Sequence, residues 1–252
     1  MESRDYAEFA ATAAATLGRL YRTTESRFGV VPYLSGHSLP NGINRQVEAI
    51  TAYLPHLRAP AKVLDWGCHH APDSCLLRMA LGEEVELFGC DILDPQHFAV
   101  FHDFARLNYV RLSDPIRLPY SNEQFDLVIA SGVLEHCPIV GESLKELHRI
   151  TRDGGQLVVT FMPNQTSVVE WIGRRTQWSH HRRLYSRRRL RFQLLDHGFE
   201  PTSIRFHQFI PAHRWQWLFE KLWWTNRVLE RTWPLSTLST NIMAIATRHS
   251  MI

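Results

Sequence analysis

The sequence predicts a doubly wound α/β domain, and three observations carry that prediction. Short apolar runs alternate with helical stretches, acidic residues fall just past the carboxyl ends of the first three runs, and later runs are rich in Val, Ile and Leu. Strands that alternate with helices imply a parallel sheet covered on both faces. A chain of 252 residues can build one such domain around a real core but is short for two independent enzymatic domains, so one active site is expected. With 44% apolar and 21% charged residues, and no repeat or low-complexity tract, disorder is not the default.

From Asp5 to Arg27, Phe9, Ala13, Leu17, Leu20 and Tyr21 recur at helical spacing. Pro32, Gly36, Pro40 and Gly42 interrupt the pattern, and from Asn44 to Leu57 it resumes with Val47, Ile50 and Leu54 on one face. Residues 1–60 therefore read as a helical cap, and residues 61–252 as the α/β domain with which the cap forms one globular unit. Within that domain Ala61 to Trp66, Val85 to Cys90 and Asn108 to Leu112 read as strands, followed by Asp91 after the second and Asp114 after the third. Phe125 to Ala130 and Gln156 to Phe161 read as two more, separated by a helix from Gly141 to Thr151 whose end is marked by Asp153-Gly154-Gly155. A further helix, Ser186 to His197, stops at Gly198. Ile204 to Ile210 and Asn241 to Thr247 are the last strands, with a helical insertion from Pro211 to Trp233 between them.

The N-terminal residues Arg4, Asp5 and Glu8 break any apolar leader, and no window reaches the roughly 18 uncharged apolar residues of a membrane span. Cys68, Cys75, Cys90 and Cys137 form no C-x-x-C pair and read as reduced thiols. A cytoplasmic chain is expected, with any membrane contact peripheral. The net charge of +3 is mild, so an argument for an anionic partner depends on where the charge lies.

Val63-Leu64-Asp65-Trp66-Gly67-Cys68 resembles the first nucleotide-binding motif of class I S-adenosylmethionine methyltransferases, V-L-D-x-G-C-G-x-G. Such a tight strand-to-helix turn lets the backbone approach the cofactor, which favours small residues. Leu118-Pro119-Tyr120, Phe125-Asp126-Leu127-Val128, Val133-Leu134-Glu135-His136 and Gly154-Gly155 then follow in the family's order. The resemblance, to the branch that modifies small molecules and glycans, implies a Rossmann-like sheet of seven strands, mostly parallel, with the last antiparallel. It also implies S-adenosyl-L-methionine as cofactor, held by Asp65, Gly67, Cys68, His69, Asp91, Ile92, Asp114, Pro115, Ser131, Gly132 and His136. In that pattern Asp91 accepts the ribose hydroxyls and Asp114 the adenine amino group. His69 and Ala71 depart from it, standing where the family has its second and third glycines. Either the turn takes another path and an imidazole of His69 or His70 contacts the methionine moiety, or the cofactor site is weakened. A nicotinamide enzyme ranks far below, because G-x-G-x-x-G is absent after the first strand.

Methyl transfer from a sulfonium needs an in-line nucleophile and sometimes a base. His136 is a candidate because imidazole titrates near neutrality, and His180, His181 and Tyr185 are others on the segment that faces the acceptor in the family. Arg174, Arg175, Arg182, Arg183, Arg187, Arg188, Arg189 and Arg191 read either as solvated faces or as a site for phosphate or carboxylate. Nucleic acid is disfavoured, since no aromatic interleaving or RNA-binding module accompanies them. Trp215, Trp217, Trp223, Trp224 and Trp233 read as core or subunit packing, or as an interfacial helix giving access to a lipid-linked acceptor. The expected activity is methyl transfer to a small-molecule, glycan or lipid-linked acceptor, with oxygen weakly favoured. The alternative is a catalytically inactive, methyltransferase-like binding or regulatory partner. Oligomeric state is not legible.

Overall fold

In a computed structural model, residues 3–28, 39–176, 181, 183–209 and 225–249 are described. They divide into two compact units, one ending at Ser113 and one beginning at Asp114. In the first, helix α1 (Ser3–Phe28) buries Ala13, Leu17, Leu20 and Tyr21, the face the spacing predicts, against α2 (Leu39–Tyr53), α3 (Pro72–Leu81) and α4 (Ala99–Ala105). Burying a side chain such as Leu17 stabilises by about 2 kcal/mol, so tertiary packing rather than intrinsic propensity holds the cap helices. Strand β1 (Ala61–Trp66) pairs in parallel with β2 (Val85–Asp91), and β2 with β3 (Asn108–Arg111). Pro72 sits in the first turn of α3, where its missing N–H costs nothing.

The second unit is built around β4 (Phe125–Ser131) and β5 (Thr151–Pro163), which are parallel. Between them runs α5 (Val140–Ile150), burying Val140, Leu144, Leu147 and Ile150. Helix α6 (Val168–Arg175) is capped by Ser167 and α7 (Arg187–Leu195) by Ser186, each hydroxyl accepting the amide N–H three residues on. Strand β7 (Asn241–Arg248) lies between β5 and β6 (Phe199–His207), antiparallel to both. The strand order is β3-β2-β1-β4-β5-β7-β6, the seven-stranded Rossmann-like arrangement with an antiparallel last strand that the sequence implied.

Several boundaries differ from the sequence reading: α2 begins at Leu39, taking Pro40 and Gly42 into the helix, because proline is tolerated in a first helical turn, and it ends at Tyr53. Strand β6 begins at Phe199, five residues before Ile204, directly after Gly198 (φ +76°). Its early residues include Glu200, Pro201, Thr202 and Ser203, and a register shift falls between Pro201 and Ser203. An edge strand tolerates proline and polar residues that a central strand would not, which hid this one from an apolar-run search. Helix α5 stops at Ile150, and Thr151 already pairs with Phe125, so Gly154 (φ +70°) shapes the irregular start of β5 rather than ending a helix. Most of the insertion, including Trp215, Trp217, Trp223 and Trp224, lies outside the described residues. Thr225–Leu229 is helical, and Trp233 is exposed. All four cysteines are buried, and none of them is in a disulfide. Among the described residues no helix is long and apolar enough to cross a membrane.

Candidate functional site

Residues that the family pattern assigns to the cofactor occur in both units. In the first they gather where β1 turns into α3. Gly67 has φ +66°, and its amide donates to the carbonyl of Cys90 at 2.8 Å. His69 (φ +50°) and Ala71 (φ +51°) adopt the same left-handed backbone, so the turn keeps a glycine-type path although both carry a Cβ. Each such residue costs about 1 kcal/mol. Asp91, at the end of β2, steadies the turn. Its Oδ2 accepts the His69 amide at 3.0 Å and its Oδ1 the Leu93 amide at 3.2 Å. Ile92, next to it, is exposed.

Asp65 is buried, and its Oδ2 accepts from the Ser74 hydroxyl of α3 at 2.8 Å. Burial, and then the neighbouring charge of Asp73, push its carboxyl up to about 8. Asp73 in turn accepts from Tyr53 Oη at 2.7 Å, which ties the cap to the same corner. Gly89 accommodates Cys68: a Cβ there would lie 3.0 Å from Cys68 Sγ and 2.5 Å from Leu107 Cδ2. A lone glycine inside a strand is the one mark of this approach in the sequence.

Three imidazoles stabilise the turn: His69 and His70, which the sequence reading offered as alternative contacts to the methionine moiety, and His102, which it did not place in the site. His102 of α4 donates through Nε2 to the His69 carbonyl at 2.9 Å and stacks on Tyr109. The Nδ1 atoms of His69 and His70 are 2.6 Å apart, so one ring donates and the other accepts. His70 also packs against Tyr21, Phe98 and Phe101. Burial lowers all three histidines; for His69 it outweighs the opposing pull of Asp91, and His70 is pushed down to about 3. The loop therefore holds neutral rings in an aromatic nest.

In the second unit Asp114 is exposed, and its Oδ1 accepts the amides of Ile116 and Arg117, which lower its pKa. Pro115 lies within that turn. Ser131 ends β4, with its hydroxyl 2.9 Å from that of Thr160, and Gly132 (φ +67°) donates its amide to the Thr160 carbonyl. The chain then makes a tight turn in which the His136 amide donates to the Val133 carbonyl at 2.9 Å. His136 and His181, chosen separately from the sequence, come together with ring centroids 6.1 Å apart. Glu135 lies beside them, Oε1 to His136 Nε2 3.9 Å, and His181 donates through Nδ1 to Glu170 at 2.9 Å. The two carboxylates were missed as site residues: Glu135 figured only as part of a motif, and nothing marks Glu170 on α6 until the fold brings His181 to it. Burial, and then the positive charge of His181, lower His136. Tyr185 is fully buried, and burial raises its hydroxyl pKa.

The arginines are largely engaged by their own unit. Arg175 lies over Trp171 (3.8 Å), Arg189 over Tyr185 (4.9 Å), Arg187 over Phe206 and Arg188 over Phe192. Arg183 donates to the carbonyls of Cys137 and Pro138. His180 and Arg182 lie outside the described residues.

Residues 37–222, nearly three quarters of the chain, match the family described as methyltransferase domain. The chain belongs to that family. Two methyltransferases share shorter stretches with it. Malonyl-[acyl-carrier protein] O-methyltransferase of Pseudescherichia vulneris is 34% identical over 103 residues, 41% of this chain and 39% of that protein. The 27-O-demethylrifamycin SV methyltransferase of Amycolatopsis mediterranei is 28% identical over 130 residues, 48% and 46% of the two. This methyltransferase-family chain thus spans less than half the length of these curated relatives. A Haloferax volcanii methyltransferase solved in complex with the Trm112 methyltransferase activator has the same fold, with a TM-score of 0.60 over 96% of this chain and 98% of that one, at 17% identity. Membership implies S-adenosyl-L-methionine as cofactor. The acceptors in the first unit fit it: each Asp91 oxygen accepts one amide at the turn and has a second lone pair suited to a ribose hydroxyl.

Proposed function

We propose that this chain transfers a methyl group from S-adenosyl-L-methionine to an oxygen of a small-molecule acceptor. The observation that carries the reading is the left-handed backbone at Gly67, His69 and Ala71, fastened by Asp91, because it keeps the glycine-type turn where the sequence has lost two glycines. Strain of about 1 kcal/mol at each of two residues persists only where surrounding structure enforces it, and such strain clusters at functional sites.

Bound cofactor supplies an electrophilic methyl on a sulfonium. Transfer of that methyl to the acceptor's oxygen would leave the C–S electron pair on sulfur, and the hydroxyl proton would pass to His136, His181 or solvent. In this reading Asp91 holds the ribose, Asp114 the adenine end, and the Gly67 to Ala71 turn the methionine moiety. Ser131 and Gly132 border the reacting end, and His136 and His181 handle the acceptor's oxygen. Oxygen is favoured because two of the relatives are named for O-methylation or an O-demethylated substrate. An amphipathic acceptor draws support from α6, where Val168, Trp171 and Ile172 are exposed beside Arg174 and Arg175. The ring-stacked arginines give less support to an anionic head group.

Calorimetric titration with S-adenosylhomocysteine should show one site per chain with micromolar affinity. Incubation with cofactor and a panel of hydroxylated acceptors should yield products heavier by one methyl. No binding at millimolar S-adenosylhomocysteine would sink the reading.

A further inference from the structure

We infer that Glu135, His136 and His181 form a site for a divalent transition-metal ion. Their ligand atoms all lie within 4.8 Å of one another, although they come from two chain segments, the turn after β4 and the stretch before α7. One carboxylate and two imidazoles make a three-ligand set that leaves coordination positions open, as catalytic zinc sites do. Ligand distances of 2.0–2.2 Å put tetrahedral donors about 3.4 Å apart, so closure on an ion asks for a shift of roughly 1 Å. His136 can supply it, because its side chain is 63% exposed whereas that of Glu135 is 3% exposed.

The surroundings match what a metal requires. His181 has Nδ1 on Glu170, itself only 3% exposed, which fixes the ring and leaves Nε2 as the nitrogen for an ion. That is the carboxylate–histidine arrangement found behind metal ligands. The neighbouring Arg183 gives its guanidinium to backbone carbonyls. The exposed side of His136 offers a path in from solvent. Donors of this mixture suit zinc, cobalt, nickel or manganese better than magnesium or calcium, which prefer oxygen alone.

The site deepens the methyl-transfer reading and rests on it for its purpose. An ion held here with open positions would bind the acceptor's hydroxyl and lower its pKa, so that the proton leaves before or as the C–O bond forms. Metal binding itself is measurable without cofactor or acceptor.

The test uses tag-free protein titrated with Co2+, read by visible absorption, with Zn2+ as competitor. One Co2+ per chain should give ligand-field bands that Zn2+ abolishes. Glu135→Gln, His136→Ala and His181→Ala should each weaken Co2+ binding at least about 100-fold, and Glu170→Gln by about 10- to 100-fold with stoichiometry unchanged. Circular dichroism checks the fold, and His136→Ala, at an exposed side chain, serves if the buried variants do not fold. An unaltered spectrum at millimolar Co2+, or wild-type affinity in folded His136→Ala, overturns the site. S-adenosylhomocysteine calorimetry on the same samples separates the two ideas. Cofactor binding without Co2+ bands overturns the metal site alone. Co2+ bands without cofactor binding support the site and overturn the methyl-transfer reading.

Discussion

Each unit carries a group of histidines, and the two groups are built in opposite ways. His69, His70 and His102 lie among aromatic rings, hydrogen-bonded to one another or to backbone, and burial holds them neutral. His136 and His181 stand over two buried carboxylates, with His136 open to solvent. The difference shows how environment divides the labour of one residue type: imidazoles without carboxylate partners on their rings serve as polar packing, whereas imidazoles backed by carboxylates are prepared for a cation. The first group shapes a backbone, and the second presents donor atoms.

The largest expected effect tests whether the first region shapes a cofactor site. Asp91→Ala removes the acceptor of two loop amides and of the proposed ribose hydroxyls, so S-adenosylhomocysteine affinity should fall roughly 10- to 150-fold, about 1.5–3 kcal/mol. Calorimetry on the folded variant checks it, and unchanged affinity removes Asp91 from the site.

A smaller effect comes from His70. The unfolded chain protonates this ring near 6.5, while the folded chain keeps it neutral until about 3. Its burial therefore costs nothing above 6.5, and as pH falls below that value the unfolded state gains protons the folded state refuses. Stability should drop by about 1.4 kcal/mol per pH unit, near 2 kcal/mol between pH 6.5 and 5. His70→Phe should flatten the urea-derived stability profile over that window. An equally steep profile in the variant would show that the nest does not hold His70 neutral.

Ala71→Gly should change least. Relief of the left-handed strain and loss of a buried methyl nearly cancel, leaving a stability change under about 0.5 kcal/mol by thermal or urea unfolding. A loss of 2 kcal/mol would mean that the alanine methyl, not the backbone, defines the turn.

The apolar runs of β1, β2, β4, β5 and β7 were legible because strands buried on both faces leave an unbroken pattern, whereas the mostly exposed edge strand β3 was marked by its place ahead of Asp114. The first residues of β6 were not, since at a sheet edge Glu200, Pro201 and Thr202 carry no such pattern. Gly67 announced the tight turn after β1. The left-handed backbone of His69 and Ala71 did not, because nothing in the identity of those residues calls for it. His102 and Glu170 escaped for a related reason: each acts on a partner distant in sequence, His69 in one case and His181 in the other.

The position of β7 bears on how the chain is made. It comes after β6 in sequence, yet it occupies the slot between β5 and β6. Until Asn241–Arg248 is in place, β5 and β6 both have the edges meant for β7 unpaired. Those edges are templates for pairing with another chain until Asn241–Arg248 arrives. Production of this protein should therefore be sensitive to the pace of translation between the two strands, and chains released early, without Asn241–Arg248, should aggregate rather than accumulate as a stable core.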